Sequence, residues 1–176
     1  MPNLIWVSRS ILLYQGERLP RTFCHLDAYR PNLFLRRNAW GSTQTVAMDG
    51  AFTWIAGLGE EIANLLAASL IWLEYDAEDA KGLDEAVFRG YLTGLEEAGW
   101  RGDPRVARLG YTAACTLRWG IVGLWWLRWL GDPAKEVELE THWNRSLPEL
   151  ASQWGKTVTY IHALTEESYQ NQHDLF

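Results

Sequence analysis

Cys24-His25-Leu26-Asp27-Ala28-Tyr29-Arg30-Pro31-Asn32 is the stretch on which the reading of this chain turns. It is dense with polar, ring-bearing and kink-prone residues, so it reads as a loop. Upstream, Leu19-Pro20 breaks a helical spacing of Leu4, Val7, Ile11 and Tyr14 that ends near Gly16. Downstream, Leu33-Phe34-Leu35-Arg36 and Thr43 to Met48 read as two short strands. Asn38-Ala39-Trp40-Gly41-Ser42 between them has the composition of a hairpin connection.

From Glu60 onward the pattern turns helical. Ile62, Leu65, Leu66, Ser69, Leu70 and Leu73 give one apolar face, with Glu60 and Glu61 favourably placed in the first turn. Val87, Tyr91, Leu92 and Leu95 mark a second helix closed by Gly99. Asp103-Pro104 and Asp132-Pro133 each read as an N-cap followed by proline at the first helical position. The helix from Pro104 towards Leu130 is apolar nearly all round and is expected at the centre of the fold. Ser146-Leu147-Pro148-Glu149 fits a capping box that starts a last helix carrying Leu150, Trp154, Val158 and Ile161. The expected fold is mainly α with a small β-hairpin, one domain over residues 1–176.

Composition narrows the function classes. At 176 residues, 48% hydrophobic and 22% charged, the chain belongs with folded globular proteins rather than disordered ones. A net charge of −6 disfavours a nonspecific nucleic-acid binder. Cys24 and Cys115 alone make no disulfide framework, so a reducing, cytoplasmic setting is expected. The start, Met1-Pro2-Asn3, lacks the cationic segment of a signal peptide. Arg118 and Arg128 interrupt the apolar window from Thr112 to Leu130, which argues against a membrane span. Eleven tryptophans report a large aromatic core.

The opening stretch contains His-x-Asp-x-x-x-x-Asn, which resembles the catalytic loop of protein-kinase-like phosphotransferases. In such a loop the Asp reaches the acceptor hydroxyl and takes or orients its proton, and an Asn five residues on turns back to bind Mg²⁺. Magnesium requires hard oxygen ligands, which a carboxylate or an amide supplies. Further on, Val46-Ala47-Met48-Asp49-Gly50 is an apolar strand ending in an Asp, where kinase-like folds deliver a second metal-binding carboxylate.

With these residues the chain is similar to the aminoglycoside phosphotransferase family. That family's pattern runs Leu-Pro, then Cys-His-x-Asp, then Asn-Leu, then an apolar run ending in Asp. Here Leu19-Pro20, Cys24-His25-Leu26-Asp27, Asn32-Leu33 and Val46-Ala47-Met48-Asp49 match it in order. Gly59-Glu60-Glu61-Ile62-Ala63 resembles the family's Gly-x-Asp-Leu-Ala segment, whose acidic residue braces the loop. The resemblance implies Asp27 as catalytic base, Asn32 and Asp49 as Mg²⁺ ligands, and His25 and Glu61 as supports of the loop. It implies ATP or another nucleoside triphosphate as phosphoryl donor and a small-molecule hydroxyl as acceptor.

The resemblance covers the catalytic loop and metal hairpin, residues 19–66; residues 67–176 fit the helical remainder of a kinase-like C-terminal lobe. Only twenty-four residues precede His25, no Gly-x-Gly-x-x-Gly occurs, and Lys81, Lys135 and Lys156 all follow the loop. The chain is therefore expected to be a C-terminal lobe lacking the N-terminal lobe. A partner chain or dimer would then complete the enzyme. The alternative is a catalytically inactive lobe kept as a binding or interaction module. Glu136, Glu138 and Glu140, with Asp76, Glu78 and Asp79, offer an acidic wall for a cationic acceptor, although solvated helix ends account for them with less.

Overall fold

A computed structural model describes residues 17–176; the first helix expected from Leu4, Val7, Ile11 and Tyr14 lies outside the described residues. The hairpin forms as read. β2 (Leu33–Arg37) and β3 (Thr43–Ala47) pair antiparallel, with Leu33 opposite Ala47 and Arg37 opposite Thr43. Asn38 turns the chain, its Oδ1 accepting from the N–H groups of Trp40 and Ser42 at 3.0 Å each. This is the local side-chain cap that fits asparagine to turns.

A second antiparallel pair, not expected from the sequence, joins β1 (Arg21–Cys24) to β4 (Trp54–Gly57), with Phe23 opposite Ile55 and Cys24 opposite Trp54. Each strand is only four residues long, and their partners lie on either side of the whole loop and hairpin. No local turn signal announces such a pairing. It ties together the two ends of the segment that carries the candidate site.

A 3₁₀ turn (Glu60–Ile62) leads into α1 (Ala63–Ile71). Every residue of α1 but Leu65 is buried, so this helix, rather than the one beginning at Pro104, is surrounded on all sides. Its alanines 63, 67 and 68 let neighbours approach closely. α2 (Ala80–Glu97) ends ahead of Gly99, which takes φ +90° as a helix-terminating residue. α3 (Pro104–Ala114) starts at Asp103, whose carboxylate accepts the Arg105 N–H at 2.9 Å. A π-helical turn, Cys115–Gly120, then passes into α4 (Ile121–Leu130).

The expectation that this whole helix lies at the centre holds for its first half only. Ala107 and Leu109–Ala113 are buried, but in α4 Gly123 alone is, and Ile121, Leu124 and Trp125 face outward. The inserted residue of the π turn shifts the helix face, and α1 already occupies the middle.

Asp132 caps a short 3₁₀ turn (Pro133–Lys135) by accepting from the Ala134 N–H at 3.0 Å, ahead of α5 (Glu136–Trp143). The capping box holds at the start of α6 (Leu147–Leu175), with Glu149 accepting from the Ser146 N–H at 2.8 Å. Leu150, Trp154, Thr157, Ile161, Leu164 and Ser168 form the buried stripe of α6, packed on α3, the π turn and α4.

Trp126 sits among Trp72, Trp129, Trp143 and Trp154 at ring-centroid distances of 4.9–5.9 Å. The aromatic core is real but takes only part of the tryptophans; Trp40 and Trp125 are 90% and 62% exposed. Among the described residues no helix is long and apolar enough to cross a membrane.

Two glycines pin the candidate site to the body. Gly59 has φ +93°, and a Cβ there would lie 2.0 Å from the Ala107 carbonyl oxygen; one on Gly110 would lie 2.1 Å from that of Leu58. The backbone before α1 therefore rests directly on α3. The Gly59 N–H also donates to the Tyr91 hydroxyl at 3.1 Å.

Candidate functional site

The loop between β1 and β2 is a chain of short hydrogen-bonded turns. Tyr29 N–H donates to Asp27 O at 3.0 Å, Asn32 N–H to Tyr29 O at 2.9 Å, and Arg30–Asn32 form a 3₁₀ turn with Pro31 inside it. Asn32 then folds back: its Nδ2 donates to Asp27 Oδ2 at 2.8 Å and to Asp27 O at 3.0 Å. An amide five residues downstream suits this closure, because one NH₂ group carries two donors in a plane. No described residue donates to Asn32 Oδ1.

The hairpin is fastened to the same loop at its far end. The Met48 N–H donates to Asn32 O at 2.9 Å, and His25 Nε2 bonds Met48 O at 2.8 Å. Asp49 follows with φ +59°, a left-handed conformation that a short polar residue tolerates better than most. Its side chain is exposed, and no described residue bonds its carboxylate. Of the three residues singled out from the sequence, Asn32 bonds Asp27 through its side chain and, through its backbone oxygen, the residue before Asp49. Such a locally strained backbone next to unengaged oxygens is a feature of ligand sites.

His25 and Glu61, the two residues read as supports of the loop, are in contact. Glu61 Oε2 accepts the His25 backbone N–H at 3.4 Å, and burial pushes the Glu61 carboxyl above the usual range, with His25 partly offsetting it. Glu60 accepts the Gly57 N–H at 2.7 Å, holding the end of β4. Cys24, behind the loop, is free and buried; burial first, then the charges of Glu61 and Glu60, push its thiol up to about 12. It is therefore an inert core residue rather than a nucleophile.

Sequence reasoning missed the residues that reach the loop from behind. Asn64, 2% exposed, donates Nδ2 to Leu26 O at 2.8 Å and to Asp27 Oδ1 at 3.4 Å, and its Oδ1 accepts from Trp119 Nε1 at 2.9 Å. Arg118 Nη1 donates to Leu26 O at 2.6 Å. The available signal was an asparagine in the apolar run from Ile62 to Ile71, since a buried amide needs partners for all its groups.

The donor set fits a hard divalent cation. The Asn32 amide oxygen and the Asp49 carboxylate are hard oxygen donors, the chemistry magnesium accepts. No cluster of three or more His, Cys, Asp or Glu side chains suited to a metal occurs among the described residues, and this pair differs by including an amide.

Four of the six acidic residues considered as a wall are engaged locally. Asp76 accepts from Arg145 at 3.2 Å, Glu78 pairs with Lys156, Glu138 with Lys135 at 2.5 Å, and Glu140 accepts the Leu147 N–H at 2.7 Å. Compared with protein-family models, with curated proteins and with solved structures, the chain has no match in any of the three.

Proposed function

We propose that this chain is the helical C-terminal lobe of a protein-kinase-like phosphotransferase of the aminoglycoside phosphotransferase type, working in the cytoplasm on a small-molecule hydroxyl. The observation that carries the reading is the clasp of Asn32 on Asp27, tied through Met48 to Asp49. The Met48 N–H bond to Asn32 O extends the β2–β3 pairing by one rung, and so brings the residue before Asp49 to the end of the loop.

In this reading Asp27 accepts the proton of the acceptor hydroxyl. The acceptor oxygen bonds the γ-phosphorus of ATP while the bond from that phosphorus to the bridging oxygen breaks, releasing ADP. Asn32 Oδ1 and the Asp49 carboxylate would hold Mg²⁺, which would supply neutralisation of phosphate charge. His25 and Glu61 keep loop and hairpin in register. Most of the acceleration in such a reaction comes from positioning. A phosphate-covering N-terminal lobe would complete such a site.

A second reading, an inactive lobe serving as an interaction module, draws on the exposed apolar side chains around the loop. Phe23, Leu35 and Trp54 are 72%, 75% and 72% exposed on the two small sheets that flank the loop. Titration calorimetry of Mg-ATP into the wild type and Asp49→Ala separates the two. Magnesium-dependent binding that the variant loses supports phosphoryl transfer. Absence of binding at nucleotide concentrations on the order of millimolar, about −4 kcal/mol of binding free energy, overturns it and favours the module.

A further inference from the structure

We propose that Asn64 and Arg118 are positioning residues that clamp the Leu26 carbonyl and so aim the Asp27 carboxylate. The inference rests on the reading of Asp27 as the group that meets the acceptor hydroxyl. Leu26 has φ +58°, a conformation unfavourable for a residue with a branched, bulky side chain, and it persists only where surroundings over-determine it. Its carbonyl takes two donors, Asn64 Nδ2 at 2.8 Å and Arg118 Nη1 at 2.6 Å. The next residue is Asp27.

The same Asn64 amide reaches Asp27 Oδ1 at 3.4 Å while Asn32 holds Oδ2 at 2.8 Å, so each carboxylate oxygen has its own amide donor. Asn64 cannot turn over, because its Oδ1 is fixed by the Trp119 indole N–H; reversed, it would set NH₂ against N–H. Arg118 and Trp119 are neighbours in the π-helical turn Cys115–Gly120. That turn lets both serve the loop, Arg118 directly and Trp119 through Asn64. Interruptions of this kind inside a helix are frequent at functional sites. If Asn64 served the core alone, its bond to Trp119 would suffice; its donor group is directed at the loop.

The test uses Arg118→Met, Arg118→Lys and Asn64→Asp. Asn64→Asp retains the acceptor for Trp119 and removes the donor to Leu26 and Asp27. The amides of Tyr29 and Asn32, hydrogen-bonded within the loop, should exchange with deuterium about tenfold faster in Arg118→Met and Asn64→Asp, with partial recovery in Arg118→Lys. Amides of Trp154 and Ile161 in α6 should keep their wild-type rates. Unchanged loop exchange, or equal acceleration in α6, overturns the clamp. Should Asn64→Asp not fold, Arg118→Met decides alone, since its side chain is exposed.

Mn²⁺ binding followed by electron paramagnetic resonance adds a readout that simple electrostatics would move the other way. Removing the Arg118 charge should tighten cation binding by Coulomb's law, whereas lost positioning should weaken it about tenfold. Tighter binding in Arg118→Met overturns the clamp. A wild type that binds no Mn²⁺ overturns the phosphotransferase reading and leaves the exchange result to judge the clamp on its own.

Discussion

In the helical body Arg108 lies between two carboxylates, at 2.5 Å from Asp84 and 2.6 Å from Glu167, and the Tyr160 hydroxyl donates to Asp84 at 2.8 Å. At the loop and hairpin, by contrast, the Asp49 carboxylate and Asn32 Oδ1 receive nothing from the described residues, and large apolar side chains stand in solvent. Buried charge survives only when fully paired, and the body pairs these charges with one another. The other end keeps unengaged oxygens and uncovered apolar surface at a cost in stability. That asymmetry is what a ligand site built on a rigid support requires.

The largest effect should come from breaking the body's own pairing. Burial alone would push the Asp84 carboxyl up, but the hydrogen bonds and charge of Arg108, with the Tyr160 hydroxyl, outweigh it and hold Asp84 below the usual carboxylate range. Asp84→Ala leaves Arg108 with an unneutralised buried edge and should cost about 3–5 kcal/mol in urea unfolding. A depressed folded-state value means that Asp84 stabilises fully above the unfolded value of about 4 and loses this as pH falls through and below it. The variant's stability should therefore fall less steeply with acidification than the wild type's. A loss under about 1 kcal/mol would mean that this pairing contributes no more than an exposed salt bridge.

Much of this division was legible. The hairpin, the N-cap at Asp103 and the capping box at Ser146 rest on short-range chemistry, and each formed where its residues stand. The closure of Asn32 on Asp27 and its pairing with Met48 span five residues and one hairpin, a range that spacing in the sequence can reach. The pairing of β1 with β4 was not, since it joins Arg21 to Gly57 across the whole site. Nor was the outward turn of α4, because composition alone cannot distinguish an apolar face that is covered from one that is not. Asn64 needed the fold to bring residues 26, 64 and 118 together.

Glu61 stands on the border between the two halves and should behave unlike Asp84. Burial raises its carboxyl, so the charged form is the disfavoured one in the folded state. At pH 7 the charge works against folding, and as pH falls through the raised value this penalty disappears, the opposite sign to Asp84. Glu61→Gln retains an oxygen that can accept the His25 N–H and removes the desolvated charge. It should leave stability unchanged or raise it by up to about 1 kcal/mol at pH 7, with the gain vanishing in acid. A loss above that size would show that the ionised carboxylate itself holds the loop.

The smallest effect should come from the hairpin. Leu35 and Trp40 are 75% and 90% exposed, and in the free chain neither side chain can lose much apolar burial on substitution. Leu35→Thr keeps β-propensity on a strand, and Trp40→Ser leaves the Asn38 turn bonds intact, since those go to backbone N–H groups. Each should shift unfolding free energy by less than about 0.5 kcal/mol. A larger loss would mean that these side chains are already covered in solution, by a second copy or by another part of the chain. Sedimentation at two concentrations, alongside the melts, would tell the two apart. A shift in melting that grows with protein concentration requires a second copy, and one that does not requires cover from within the chain.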